Sequence, residues 1–161
     1  MPNEIIFHAY TAKWYYILAW IIRIKTNSKV DHCSVEIPNY GIYESKFFNG
    51  VTLSHEHKKE PVKSIKLPFD PQSIRGKQLI NFYNHLVRKR AGYDYLAAIF
   101  GFFGYKTESR KRWYCSELTD LYFKLYLGFN SYFNRTTISP KTFLAKCEAY
   151  SIGYKDGQRQ D

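Results

Sequence analysis

Turn residues break the first part of the chain into short β-type runs, and after Pro71 the apolar spacing becomes helical. A parallel α/β sheet needs strands and helices to alternate. Strands gathered first and helices after them point instead to an α+β domain whose sheet is antiparallel. Residues 4–10 read as a short buried strand. Residues 30–38 and 42–48, separated by the turn-forming Asn39 and Gly41, read as a hairpin. Asn49-Gly50 opens a further turn, with strands expected over 51–55 and 62–67. Residues 71–90 read as a helix with Pro at its start and Ile74, Leu79, Phe82, Leu86 and Val87 at helical spacing. A short apolar helix is expected over 93–100. The clearest helix covers 116–127, with Leu118, Leu121, Tyr122 and Leu125 on one face. Ser139-Pro140 carries the cap-and-proline pattern that opens a final short helix. No repeat or Gly/Ser-rich linker divides the chain, so residues 1–161 read as a single domain.

A chain of 161 residues that is 45% hydrophobic can bury a core without metals or disulfides, and its aromatic content of 19% argues against disorder. Cys33, Cys115 and Cys147 are an odd, sparse set with no CxxC spacing. They describe free thiols in a reducing compartment rather than a disulfide framework. The most apolar run, residues 14–22, is about half the roughly 20 residues a bilayer requires. It follows Glu4 and lacks a small-residue cleavage site, so a cytoplasmic chain without signal peptide or membrane span is expected. A helix over residues 14–24, packed against the sheet, is the expectation here. An interfacial helix presenting Trp14, Tyr15, Tyr16 and Trp20 is the alternative.

Chemistry concentrates on two residues. Cys115 falls at the expected N-terminus of the clearest helix, where the helix dipole and first-turn N–H groups favour thiolate over thiol. Arg110, Lys111 and Arg112 act in the same direction, and the N–H of Ser116 is placed to stabilise an oxyanion. A small buried core residue is the plainer reading of the same cysteine. His32 lies on a strand in which Cys33, Val35 and Ile37 alternate with His32, Ser34 and Glu36, which leaves the histidine on the more polar face. From there it could act as base toward a thiol on a facing helix, or it could be an ordinary surface histidine.

Five segments occur in one order: Asp31-His32-Cys33-Ser34-Val35, Ile42-Tyr43-Glu44-Ser45 with Gly50-Val51, Gly92-Tyr93-Asp94-Tyr95, Tyr114-Cys115-Ser116-Glu117-Leu118, and Ile138-Ser139-Pro140. Together they resemble the YiiX/YebB-like branch of the circularly permuted NlpC-type papain-like cysteine hydrolases. The resemblance implies a papain-like α+β fold, with an antiparallel sheet carrying the base and a helix carrying the nucleophile. It implies Cys115 as attacking thiolate, His32 as base and Glu44 orienting the imidazole, with Tyr93, Asp94, Tyr114 and Ser116 around the pocket. It also implies a peptide, isopeptide or acyl substrate, and no cofactor. For Glu44 the register matters. A tight turn at Asn39-Tyr40 pairs Glu44 with Val35 and His32 with Phe47, which puts Glu44 on the wrong face. One extra loop residue corrects the face, and Glu36 and Ser34 remain substitutes.

The formal charge of +10 favours an acidic substrate or an anionic membrane surface. With 15 tyrosines, the runs Arg88-Lys89-Arg90 and Arg110-Lys111-Arg112 raise nucleic-acid binding as an alternative function. However, the aromatics fall on expected helix faces and no recognition motif appears, so nucleic acid is not expected as the main partner. A papain-like binding module without catalysis is the other alternative. His55-x-His57 could offer two metal ligands from one strand face, but no second pair occurs at a familiar spacing, and a solvated strand end is expected instead of a metal site. Asn134-Arg135-Thr136 matches a glycosylation acceptor that is incidental in the expected compartment.

Overall fold

In the computed structural model, the described residues are 4–11, 20, 23–24, 26–46, 48–57, 59–93, 112–129 and 139–158. Their architecture is α+β. Five strands, β1 (Glu4–Tyr10), β2 (His32–Ile37), β3 (Gly41–Lys46), β4 (Gly50–Ser54) and β5 (Lys63–Pro68), form a sheet in the order β4-β3-β2-β1-β5. Every neighbouring pair is antiparallel. Helix α1 (Ile74–Arg88) comes next, then a short parallel pair, β6 (Gly92–Tyr93) and β7 (Arg112–Trp113). Helix α2 (Cys115–Leu121) continues into a π-helical turn, Tyr122–Tyr126, and α3 (Pro140–Gln158) closes the described chain.

Alternation gives the sheet two unlike faces. Phe7, Cys33, Val35, Tyr43, Val51, Ile65 and Leu67 all point to one side and are buried. The helices pack there: α2 on β2 and β3, α3 on β5, and α1 on β4 and the π turn. Phe7 meets Tyr122 and Phe143 edge-on, with ring centroids 5.4 and 5.2 Å away, which joins β1 to two helical segments at once. Tyr43 stacks on Tyr83 at 4.9 Å and donates its hydroxyl to Asn84 Oδ1, so α1 is held on the hairpin by both rings and a hydrogen bond. The opposite face carries His8, Tyr10, His32, Ser34, Glu36, Glu44 and Ser64, a polar surface with several of its members buried.

Several details depart from the sequence expectations, each for a local reason. Pro71 sits in a turn, and α1 begins at Ile74 because Ser73 caps it, accepting from Gly76 N at 3.0 Å. Ile74 therefore lies in the first turn and is exposed, while Gly76, Leu79, Ile80, Tyr83 and Leu86 form the buried face. Leu125 leaves the buried face because the π turn adds a residue per turn and rotates the positions after it. Phe123 is buried in its place. Tyr93 is in strand β6 rather than opening a helix, and the rest of the helix expected over 93–100 lies outside the described residues. The final helix, capped by Ser139 as expected, is long rather than short. Strand β4 ends at Ser54, so His55 and His57 lie in the following loop and share no strand face.

Most of the apolar run 14–22 is outside the described residues. Trp20 and Ile24, four apart in helical segments, are 57% and 58% exposed, which corrects the expectation of burial on the sheet for these two. Arg23 faces the domain, with Nε 2.5 Å from Asp31 Oδ2. Among the described residues no helix is long and apolar enough to cross a membrane.

Candidate active site

The chain around Cys115 is fixed before its chemistry is considered. Ser45 Oγ donates to the Trp113 carbonyl at 2.6 Å, which ties β7 to β3 two residues ahead of the cysteine. The Tyr114 N–H donates to Glu117 Oε2 at 3.1 Å, the reach-back bond of a capped helix start. Tyr83 Oη donates to the Leu118 carbonyl, and Leu118 and Tyr114 are fully buried. Cys115 is thus the first residue of a short helix held at both its strand and its core side. It is itself fully buried.

The other half of the site is the start of β2. The β2–β3 ladder ends at the pair Ser34–Glu44, and beyond it His32 and Cys33 reach Cys115. The hairpin loop decides what else arrives there. Pro38-Asn39-Tyr40 is one residue longer than the tight turn, closed by Tyr40 N donating to the Ile37 carbonyl. Pro at its second position and Asn39 at φ 68 give a type II turn, and Gly41 comes next at φ 111. The register therefore puts Glu44 opposite Ser34, on the same face as His32 and diagonal to it. A diagonal neighbour is within reach of long side chains, and His32 Nε2 lies 3.3 Å from Glu44 Oε2. Lys46 Nζ holds the other carboxylate oxygen at 2.5 Å.

The electrostatics of this trio are those of an ion pair. Burial pushes the Cys115 thiol up. Hydrogen bonds from the Cys33 thiol and from His32, the imidazolium charge and the Cys33 backbone N–H outweigh it and bring Cys115 well below the ordinary thiol range. Burial likewise disfavours a charged His32, but its bonds to Cys115 and Glu44 raise it to about 10. Glu44, pushed up by burial, is held below the usual carboxylate range by His32 and Lys46. Nε2 is the His32 ring nitrogen turned to Glu44.

Strand alternation makes Cys33 a core residue, and it is one, but it also supplies a donor to Cys115. Its own thiol is driven up by burial and by the neighbouring Cys115, so it stays protonated, with Sγ 3.6 Å from Thr119 Oγ1. The sequence signal for this role is adjacency to His32 in a strand whose end lies bare of β3. Replacing Cys33 with Ala keeps a small apolar residue in the core and removes that donor. Cys115 should then titrate at higher pH than in the wild type, measured as the midpoint of its alkylation rate against pH. An unchanged midpoint would mean that the Cys33 thiol contributes nothing to the thiolate.

The other expected site residues lie at varying distances from this trio. Ser116 is buried at the second position of α2, and Tyr114 is buried immediately before the helix. Tyr93 pairs with Trp113 in the β6–β7 ladder, close in the backbone to Cys115, whereas Asp94 lies outside the described residues. Ser34 Oγ is bonded to Tyr10 Oη at 3.1 Å, and Glu36 accepts from His8 and His57, so neither of these alternatives is turned to His32. Arg88, Lys89 and Arg90 are exposed at the end of α1. Arg110 and Lys111 lie outside the described residues. Cys147 is buried in α3, and burial pushes its thiol up. Of the three thiols, Cys115 alone is lowered. Compared with known proteins, the chain matches no family model, no curated protein and no solved structure.

Proposed function

We propose that the chain is a cysteine hydrolase of the permuted papain-like type, acting on an amide, isopeptide or other acyl bond. The observation that carries the reading is the convergence of a lowered thiol, a raised imidazole and an ionised carboxylate at one end of β2, in a chain with three cysteines, only one of which is so placed. The order of the trio along the chain, His32, Glu44, Cys115, agrees with the order implied by the family resemblance.

In this mechanism the Cys115 thiolate attacks the carbonyl carbon, and the carbonyl π electrons move onto oxygen. The first-turn N–H groups of α2, those of Cys115 and Ser116, face the developing oxyanion. The His32 imidazolium gives its proton to the leaving nitrogen or oxygen, and collapse of the intermediate leaves a thioester on Cys115. Neutral His32 then takes a proton from water, whose oxygen attacks the thioester. The acid departs and the thiolate–imidazolium pair is restored. Glu44 keeps the ring oriented and favours its charged form. The positive net charge suits an acidic substrate or one presented at an anionic surface.

A panel of activated acyl esters and thioesters, quenched in acid, tests the reading by peptide mass mapping. An acyl adduct is expected on the Cys115 peptide alone, and Cys115→Ala should give neither adduct nor turnover. Turnover that survives Cys115→Ala, or acylation shared evenly among the three cysteines, would sink it.

A further inference from the structure

On the polar face of the sheet, away from Cys115, three potential metal ligands converge: His8, Glu36 and His57. Their ligating atoms all lie within 4.8 Å of one another. They come from three separate places. His8 is in β1, and Glu36 is in β2 opposite Ile6, so the two are diagonal neighbours on one face. His57 comes from the loop after β4 and folds back over the sheet. His8 Nε2 lies 2.8 Å and His57 Nε2 3.1 Å from the same oxygen, Glu36 Oε2. A tetrahedral zinc ion with ligand bonds near 2.0 Å separates its donors by about 3.3 Å. The two separations from Glu36, 2.8 and 3.1 Å, are within about half an ångström of that spacing.

A second observation is independent of this convergence. In zinc sites the ring nitrogen not bound to metal is held by an outer partner, which sets tautomer and orientation. Both histidines have such a partner. His8 Nδ1 is 2.8 Å from Ser64 Oγ, and His57 Nδ1 is 3.2 Å from Tyr10 Oη. Tyr10 is in turn bonded to Ser34. Both outer groups are hydroxyls, which can donate or accept. They can therefore serve the state in which Nε2–H donates to Glu36, and equally the state in which Nδ1 carries the proton and Nε2 is a free lone pair. The nearby cation Lys66 pairs with Glu4 at 3.2 Å, so another carboxylate takes its charge and Glu36 is left to the histidines.

We propose that His8, Glu36 and His57 form a binding site for one zinc-class divalent ion. The donor set of two imidazoles and one carboxylate suits borderline metals and not calcium or magnesium. His8 is buried, while His57 is about a third exposed by side-chain area, so the fourth position opens toward the loop. Binding would clamp the loop after β4 across β1 and β2. The site does not depend on the chemistry of Cys115, although Tyr10 lies between them, its ring 5.8 Å from that of His32.

Cobalt(II), a spectroscopic stand-in for zinc, tests the site on the full chain. One equivalent should bind with the intense visible bands of a four-coordinate ion and without sulfur-to-metal charge transfer, and zinc should displace it. Glu36→Gln, which is isosteric, and His57→Ala, which changes a partly exposed loop residue, should each weaken binding on the order of 100-fold or more. Cys115→Ser should leave it unchanged. The proposal is overturned if no equivalent binds, if binding survives both Glu36→Gln and His57→Ala, or if Cys115→Ser removes it, which would place the metal on the thiol.

Discussion

Replacing His32 with Ala should lower the rate at which iodoacetamide alkylates Cys115 on the order of 10²-fold at pH 6, and much less at pH 9. The expectation rests on the direction of two shifts. Cys115 is below the ordinary thiol range in part because His32 is charged and bonded to it, and His32 is raised to about 10 in part because Cys115 is an anion. In the wild type the thiolate persists to lower pH than an ordinary thiol allows, so the midpoint of the alkylation profile should lie well below the ordinary thiol range. Without the imidazolium the thiol returns toward about 8.5 or above, and at pH 6 well under one per cent of it is ionised. The stability linkage has the matching sign. The raised pKa of His32 contributes stability that is fully present below about 6.5 and is lost as pH rises through about 10. The lowered pKa of Cys115 contributes stability that is present above its ordinary range and is lost as pH falls through its folded value. Turnover requires imidazolium as proton donor, so its alkaline limb should fall near 10.

Burial of Cys115 adds a factor that the same experiment separates. A thiol without exposed surface reacts only when the structure above it opens locally. Opening multiplies the rate at every pH, whereas ionisation sets the midpoint of the profile. A slow wild-type rate with a low midpoint therefore supports the ion pair. A midpoint near 8.5 in the wild type, unmoved by His32→Ala, refutes it whatever the rate.

The α+β class was legible because strand and helix periodicities occupy separate stretches of the chain, and β1 to β5 fall within a few residues of their expected places. The positions that escaped were those set by a single residue of loop or turn. The face of Glu44 depends on whether the β2–β3 loop holds two residues or three, and composition there allows both. Only the left-handed Asn39 after Pro38 settles it. Leu125 fits an α-helical face well, and nothing in the spacing announces the π turn that rotates it out. Spacing along the chain makes His55 the natural companion of His57, whereas its partners in space, His8 and Glu36, are 49 and 21 residues away. Contacts across a sheet follow register, and register is decided by the whole molecule. Cys115 and His32 were legible individually as residue types in suitable elements. Their contact was not, because it depends on where the β2–β3 ladder stops.

The largest effect on the fold is expected from a residue that carries no side chain. Gly50 has φ 66, and a Cβ there would stand 2.1 Å from the Ala91 carbonyl oxygen and 3.1 Å from Gly92 Cα, a clash with backbone rather than with a side chain that could move. The approach is close because the neighbouring Val51 N–H donates to that same carbonyl at 2.8 Å. Gly50→Ala incurs about 1–2 kcal/mol for the left-handed conformation, about 1–3 for the displaced backbone and about 1 for the weakened hydrogen bond. A loss of about 3–6 kcal/mol lowers Tm by roughly 6–24 °C in a domain of this size. Gly153 is the control: it lies in α3 with nothing within 4 Å of its added Cβ, so Gly153→Ala should be neutral or stabilise by up to about 1 kcal/mol. The consequence reaches the candidate site, because residues 91–92 lead into β6, β6 pairs with β7, and β7 runs directly into Tyr114 and Cys115. Moving that strand withdraws Cys115 from the fixed end of β2. Gly50→Ala should therefore also shift the alkylation midpoint of Cys115 to higher pH, without touching any member of the trio. If its Tm stays within a degree or two of wild type, the close packing of β4 on β6 is not what seats Cys115. If Tm falls and the midpoint holds, the helix start is anchored through Ser45, Glu117 and Tyr83 and not through β6.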